Sequence, residues 1–98
     1  MTSTTEQVRL HIWVTGRVQG VGFRAFVQQT AMLIGVTGWV RNVGAYTVET
    51  VAEGEREKVE RFAQAVKRGP RLSLVEEARE EWETASGEFA TFEVRRNV

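Results

Sequence analysis

Hydrophobic and polar positions alternate strictly through "VRLHIWVT". Val8, Leu10, Ile12 and Val14 take one side, and Arg9, His11, Trp13 and Thr15 the other. That period of two predicts a strand with one buried face. From Phe23 the period lengthens: Phe23, Phe26, Val27, Thr30, Leu33 and Ile34 form one helical stripe, and Gly35 suits the position just past a helix end. "TGWVRN" and "TVETVAE" are β-rich runs separated by "VGAY", which predicts a hairpin. In "REKVERFAQAVKRG" the apolar residues Val59, Phe62, Ala63 and Val66 return to helical spacing, and Gly69-Pro70 stops that helix. "VEEAREEWET" reads both ways, helical by intrinsic preference but compatible with a solvent-facing strand, and "FATFEVRR" predicts a short closing strand. Residues 1–7 predict a flexible N-terminal tail, leaving 8–98 as a single domain.

The element order β-α-β-β-α-β predicts an α+β fold, a ferredoxin-like split βαββαβ sandwich. Its sheet is expected to be antiparallel, with two helices on one face. In that topology the first two strands run parallel with the third between them, and a right-handed crossover carries the first helix from one to the other. The end of the first strand, the start of the first helix and the end of the second strand then share one sheet edge. The segment Gly16 to Arg24 and Asn42 should meet there. Asn42 has the parity of Val40, so it points to the helix side, away from Trp39 and Arg41.

Composition narrows the chemistry. The chain has 98 residues, 42% of them hydrophobic, and formal net charge zero. These values exclude a disordered segment and give no large field for nucleic acid. The longest uncharged run, Ala25 to Val40, is interrupted by Gln28, Gln29, Thr30, Gly35, Thr37 and Gly38, which excludes a spanning helix. "MTSTTEQ" carries no signal-peptide pattern, so a cytoplasmic location is expected, without membrane or nucleic-acid partners. There is no cysteine, one histidine and no aspartate, all thirteen acidic residues being glutamate. Thiolate metal sites, cysteine nucleophiles and aspartyl-phosphate intermediates are therefore excluded, and no metal or other cofactor is expected. Any enzyme built on this chain performs chemistry that needs little help from side chains.

"GRVQGVGFR", Gly16 to Arg24, has three glycines and none of the usual helix-capping side chains ahead of a predicted helix. A helix start leaves about four N–H groups without intrahelical partners, and flanking glycines let such groups converge on an anion. Arg24 in the first turn opposes the helix dipole, an anomaly that a bound phosphate would remove. An ordinary glycine-rich connection with a solvated arginine is the competing reading. Gly20-Val21-Gly22-Phe23-Arg24-Ala25 matches G-x-G-x-x-A, but Arg41-Asn42 stands where a dinucleotide fold wants an acidic residue. No Gly-Lys-Ser/Thr follows. The spacing Val18 to Arg24 is that of the C-x₅-R phosphatase loop, with valine in the nucleophile's place. A phosphate cradle without a covalent catalyst suits an acyl phosphate, whose carboxylate leaves readily once water is positioned and phosphoryl charge is neutralised.

"GRVQGVGFR", "GVTGWVRN", "TVE", "AEG" and the later "GP" resemble the acylphosphatase family in order and spacing, from about Val8 to the last residue. The resemblance implies the split βαββαβ sandwich and metal-free hydrolysis of acyl phosphates to carboxylate and phosphate. It also favours strand over helix for "VEEAREEWET". Arg24 matches the family's phosphate-binding arginine and Asn42 the asparagine that orients the attacking water. Val18, Gln19, Gly20, Val21, Gly22 and Phe23 match the cradle, acting through their backbone. The substrate's own phosphate is then the acceptor of the water's proton. The expected partners are a small-molecule acyl phosphate and inorganic phosphate, as product and competitive inhibitor, with the protein acting as a monomer. One segment departs: where the family often has an Asp-Gly turn this chain has Gly44-Ala45-Tyr46, so the turn should be rearranged around Gly44.

Other features carry less. His11 lies mid-strand on the face away from the helices, out of place for a general base. Trp13 and Trp39 share the outer parity and could form a stacking platform, which keeps open a βαββαβ module binding nucleic acid or a small regulatory ligand without catalysis. The acylphosphatase-like module of larger carbamoyl-transfer proteins is a competing enzyme reading, against which a free-standing chain favours an independent hydrolase. Gln19 could line the loop, although glutamine in a turn is more often structural. Glu76 to Glu83 read as a solvated edge whose charges discourage edge pairing.

Overall fold

The computed structural model describes residues 6–98. The elements follow as β1 (Gln7–Arg17), α1 (Phe23–Ile34), β2 (Thr37–Val43), β3 (Thr47–Glu55), α2 (Arg56–Arg68), β4 (Leu74–Thr84) and β5 (Phe92–Val94). Most of the tail expected over residues 1–7 lies outside the described residues. Of its last two, Gln7 already pairs with Glu55 in the sheet, and Glu6 accepts from Arg56 at 3.0 Å.

The strands form one sheet in the order β4-β1-β3-β2-β5. The expected βαββαβ arrangement is present, with β3 antiparallel to both β1 and β2, so that β1 and β2 run parallel. The sheet is mixed rather than wholly antiparallel, because β5 joins β2 in parallel, with Gly38, Trp39 and Val40 opposite Phe92, Glu93 and Val94. The chain leaves β4 at one edge, crosses the outer face near Glu53, where Ser86 and Gly87 hydrogen-bond to it, and enters the far edge in the direction of β2. "VEEAREEWET" is strand, antiparallel to β1. Its side chains are nearly all exposed, as befits a charged edge.

Both helices cover one face. Val8, Leu10, Ile12 and Val14 of β1 are at most 2% exposed and share one core with Phe23, Val27 and Ala31 of α1 and Val59, Phe62, Ala63 and Val66 of α2. Burying each large aliphatic side chain stabilises the fold by roughly 1.5–3 kcal/mol. Leu33, expected on the α1 stripe, is 87% exposed. The stripe centres instead on Phe23, Val27 and Ala31, and at 100° per residue Leu33 lies roughly 120° from that centre, while Ile34 falls within it. The turn after β2 centres on Gly44: Val43 pairs with Thr47, Gly44 takes φ 59°, and no non-glycine residue described has positive φ.

Candidate active site

The β1–β4 ladder shifts register between Thr15 and Gly16, where β4 carries one extra residue, Glu76, an irregularity that increases the local twist of the sheet. From there Val18 (1% exposed) and Phe23 (2% exposed) anchor the two ends of the glycine loop in the core. Gly69 closes on the Phe23 ring so tightly that an added Cβ would lie 2.9 Å from Cε2. Between the anchors Gly20 and Gly22 adopt left-handed backbone, φ 76° and 77°. A Cβ at either position would meet nothing within 4 Å beyond its chain neighbours, so conformation, not packing, calls for glycine here.

Gly22 is the N-cap of α1 and supplies no capping side chain, and the first turn holds no acidic residue. Among the described residues, the main-chain N–H groups from Gln19 to Ala25 have no protein acceptor. Most of these residues line a cavity of about 330 Å³, whose wall includes Val18, Gln19, Gly20, Gly22, Phe23 and Arg24 together with Asn42. The structure thus brings the glycine loop, Arg24 and Asn42 to one place. Val21 is the exception; it is absent from the wall and packs its side chain on the core.

Asn42 is 7% exposed, on the helix side of β2 as its parity required. Its carboxamide has no protein partner among the described residues. Arg24 is half-buried, and its Nη1 donates to Asn97 Oδ1 at 2.9 Å. Gln19 proves structural in its side chain: Nε2 donates to the carbonyls of Gly44 (3.0 Å) and Thr47 (2.9 Å), fastening the loop to the β2–β3 turn.

Ala25, Gln28 and Val94 also line the cavity, and sequence reading missed them along with Asn97. Gln28 stands one helical turn after Arg24, a spacing that could have found it. It donates to the Phe92 carbonyl at 3.1 Å and so ties α1 to β5.

The outer face is chemically closed. His11 stacks on Trp13 at 3.7 Å, Arg79 lies 4.2 Å over Trp13, and Arg41 and Arg95 lie 4.8 and 4.9 Å from Trp39. His11 Nε2 lies 2.6 Å from Glu49 Oε2, and Arg41 Nε donates to Glu49 Oε1 at 2.7 Å. Burial alone would raise the Glu49 carboxyl, but the hydrogen bonds from Arg41 and His11 outweigh it and hold it below its ordinary range. Glu53 behaves alike: burial raises it, and donors on Ser86, Arg9 and Gly87 bring it down. His11 is therefore part of a structural network on the face opposite the cavity, and the tryptophan faces offer no open platform.

Residues 10–94 match the acylphosphatase family model. A relative named acylphosphatase from Syntrophotalea carbinolica is 48% identical over 88 residues, 90% of this chain and 96% of that one. The crystal structure of acylphosphatase from Bacillus subtilis superposes with a TM-score of 0.86 at 36% identity, covering 90% of this chain and 98% of the other. Full-length HypF, solved in a phosphate- and nucleotide-bound form, superposes with a TM-score of 0.85 at 27% identity, covering 99% of this chain but 13% of that much longer one.

Proposed function

This chain belongs to the acylphosphatase family and hydrolyses the carboxyl–phosphate bond of acyl phosphates, and from that premise we propose how its residues divide the work. The phosphoryl group lies against the main-chain amides of the Val18–Phe23 cradle, with the Arg24 guanidinium bound to two of its oxygens. Asn42 orients the water: its carbonyl oxygen accepts from the water while its NH₂ donates to the substrate. The water's oxygen attacks phosphorus, the P–O bond to the acyl group breaks, and the bonding pair leaves with the carboxylate. The water's proton passes to a phosphoryl oxygen, so no protein base is required. The single observation carrying this reading is the meeting of partnerless loop amides, Arg24 and the partnerless Asn42 carboxamide in one cavity.

A composition of one histidine with no cysteine or aspartate supports metal independence. The absence of cysteine makes no demand for an oxidising compartment, consistent with the cytoplasm. Inorganic phosphate presents the same oxygens to the same amides and is therefore a competitive inhibitor. A binding module without catalysis is not favoured, because the tryptophans that would form its platform are already covered.

Hydrolysis of benzoyl phosphate by the full chain, before and after exhaustive dialysis against EDTA, tests the proposal. Undiminished turnover is expected. Complete loss restored by a divalent ion would overturn the metal-free mechanism.

A further inference from the structure

Arg24 is held differently from the other paired arginines. Arg9, Arg41 and Arg56 each donate to a glutamate, Glu53, Glu49 and Glu6, at 2.7 to 3.0 Å. Arg24 instead donates through Nη1 to a neutral amide oxygen, Asn97 Oδ1, at 2.9 Å, and has no other partner among the described residues. From this contrast we infer that Asn97 is a positioning residue for substrate binding, fixing the Arg24 guanidinium while leaving its charge uncompensated. The inference rests on the phosphate-binding role proposed above for Arg24.

The segment carrying Asn97 is itself tied down. Arg95 N donates to the Val40 carbonyl at 2.8 Å, Val98 N to the Asn42 carbonyl at 3.0 Å, and Gly44 N to the Val98 carbonyl at 2.8 Å. Residues 95–98 thus run along β2 beyond β5 and present Asn97 from the side of the cavity that carries Asn42. A free arginine carries rotamer entropy that phosphate binding would have to overcome. A fixed acceptor removes part of that loss beforehand. The amide oxygen uses one of the five N–H donors and leaves the rest of the fork for phosphoryl oxygens. A carboxylate in the same place would hold the guanidinium equally well, but it would compete with the substrate for charge and bidentate geometry.

Asn97→Asp and Asn97→Ala in the full chain separate positioning from mere scaffolding. The measurements are the dissociation constant for inorganic phosphate by calorimetry, KM and kcat for benzoyl phosphate, and Tm. Asn97→Asp should keep the parental Tm while weakening phosphate binding on the order of tenfold, a penalty that shrinks as salt is raised. Asn97→Ala should raise both KM and the phosphate dissociation constant by roughly three- to tenfold, with a smaller change in kcat. Parental phosphate affinity in both variants, or a loss confined to Tm, overturns the inference. Arg24→Ala, run alongside, keeps the two readings apart. If it binds phosphate normally, the assignment of Arg24 fails and Asn97 with it. If it loses phosphate while both Asn97 variants bind like the parent, only the role of Asn97 falls.

Discussion

On the outer face of the sheet, Glu53 accepts hydrogen bonds from Arg9 Nε at 2.7 Å and from Ser86 N, Ser86 Oγ and Gly87 N at 2.9 Å each. At the inner edge, the amides of Gln19 to Ala25 and the carboxamide of Asn42 have no protein partner among the described residues. Both regions are polar, and both contain buried or half-buried groups. They differ in when their interactions are completed. The outer groups are satisfied by folding itself, so they contribute to stability; in the mechanism proposed above, the inner donors await charge that arrives from outside and contribute to catalysis. Charge alone does not mark a site here. The state of its hydrogen-bonding partners does.

The largest effect should come from exchanging one arginine on each side. Arg24→Ala is expected to lower kcat/KM on the order of 10³-fold and abolish phosphate binding with little change in Tm. Arg41→Ala, which removes one of the two partners of Glu49, should lower Tm and leave kcat/KM within roughly twofold of the parent. Steady-state kinetics and thermal melts on both variants check the pair. A large kinetic loss in Arg41→Ala would break the separation of the faces.

Within the inner region, Asn42→Ala should divide chemistry from holding. A group that positions water typically contributes on the order of 10²–10³ in rate. kcat should fall by that order while competitive inhibition by phosphate stays nearly parental. Retained kcat with lost phosphate affinity would move Asn42 from water orientation to binding.

The smallest effect belongs to the outer face. Glu53→Gln leaves part of a hydrogen-bond set unmade and should lower stability by about 1–3 kcal/mol without changing kcat/KM. Because the Glu49 and Glu53 carboxyls lie below their ordinary range in the folded protein, their contribution is present above the unfolded carboxylate pKa. It is lost as pH falls through the folded values. Tm of the parent should therefore drop on the acid side, and Glu53→Gln should flatten that limb. An unchanged acid limb would show that Glu53 does not set it.

Much of this arrangement was legible in the sequence because each signal was local. The alternation of Val8 to Val14 gave β1, the spacing of Val59, Phe62, Ala63 and Val66 gave α2, and strand parity aimed Asn42 at the cavity. Gly44 was legible because Ala45 and Tyr46 are poor hosts for positive φ. What stayed hidden depended on distant parts of the chain. Glu49 and Glu53 went unread, because nothing local says that Arg9, Arg41 and residues 86–87 would bury and saturate them. β4 had no alternation to read, since as an edge it exposes both faces. Asn97 carries no motif at all; its significance appears only when residues 95–98 lie along β2 beside Arg24.

The sheet order also bears on time. In β4-β1-β3-β2-β5 only β2 and β3 are both neighbours in the sheet and consecutive along the chain; every other pairing, such as Arg9 with Glu83, must close a long loop before it gains anything. Chains dominated by such distant contacts fold in milliseconds to seconds rather than microseconds. In the native sheet β3 lies between β1 and β2, the strands that lead to the glycine loop and carry Asn42, so the proposed phosphate cradle is expected to form late on the folding route. An anion that recognises only the finished cradle cannot hasten its assembly; it acts by delaying the chain's escape from the native state.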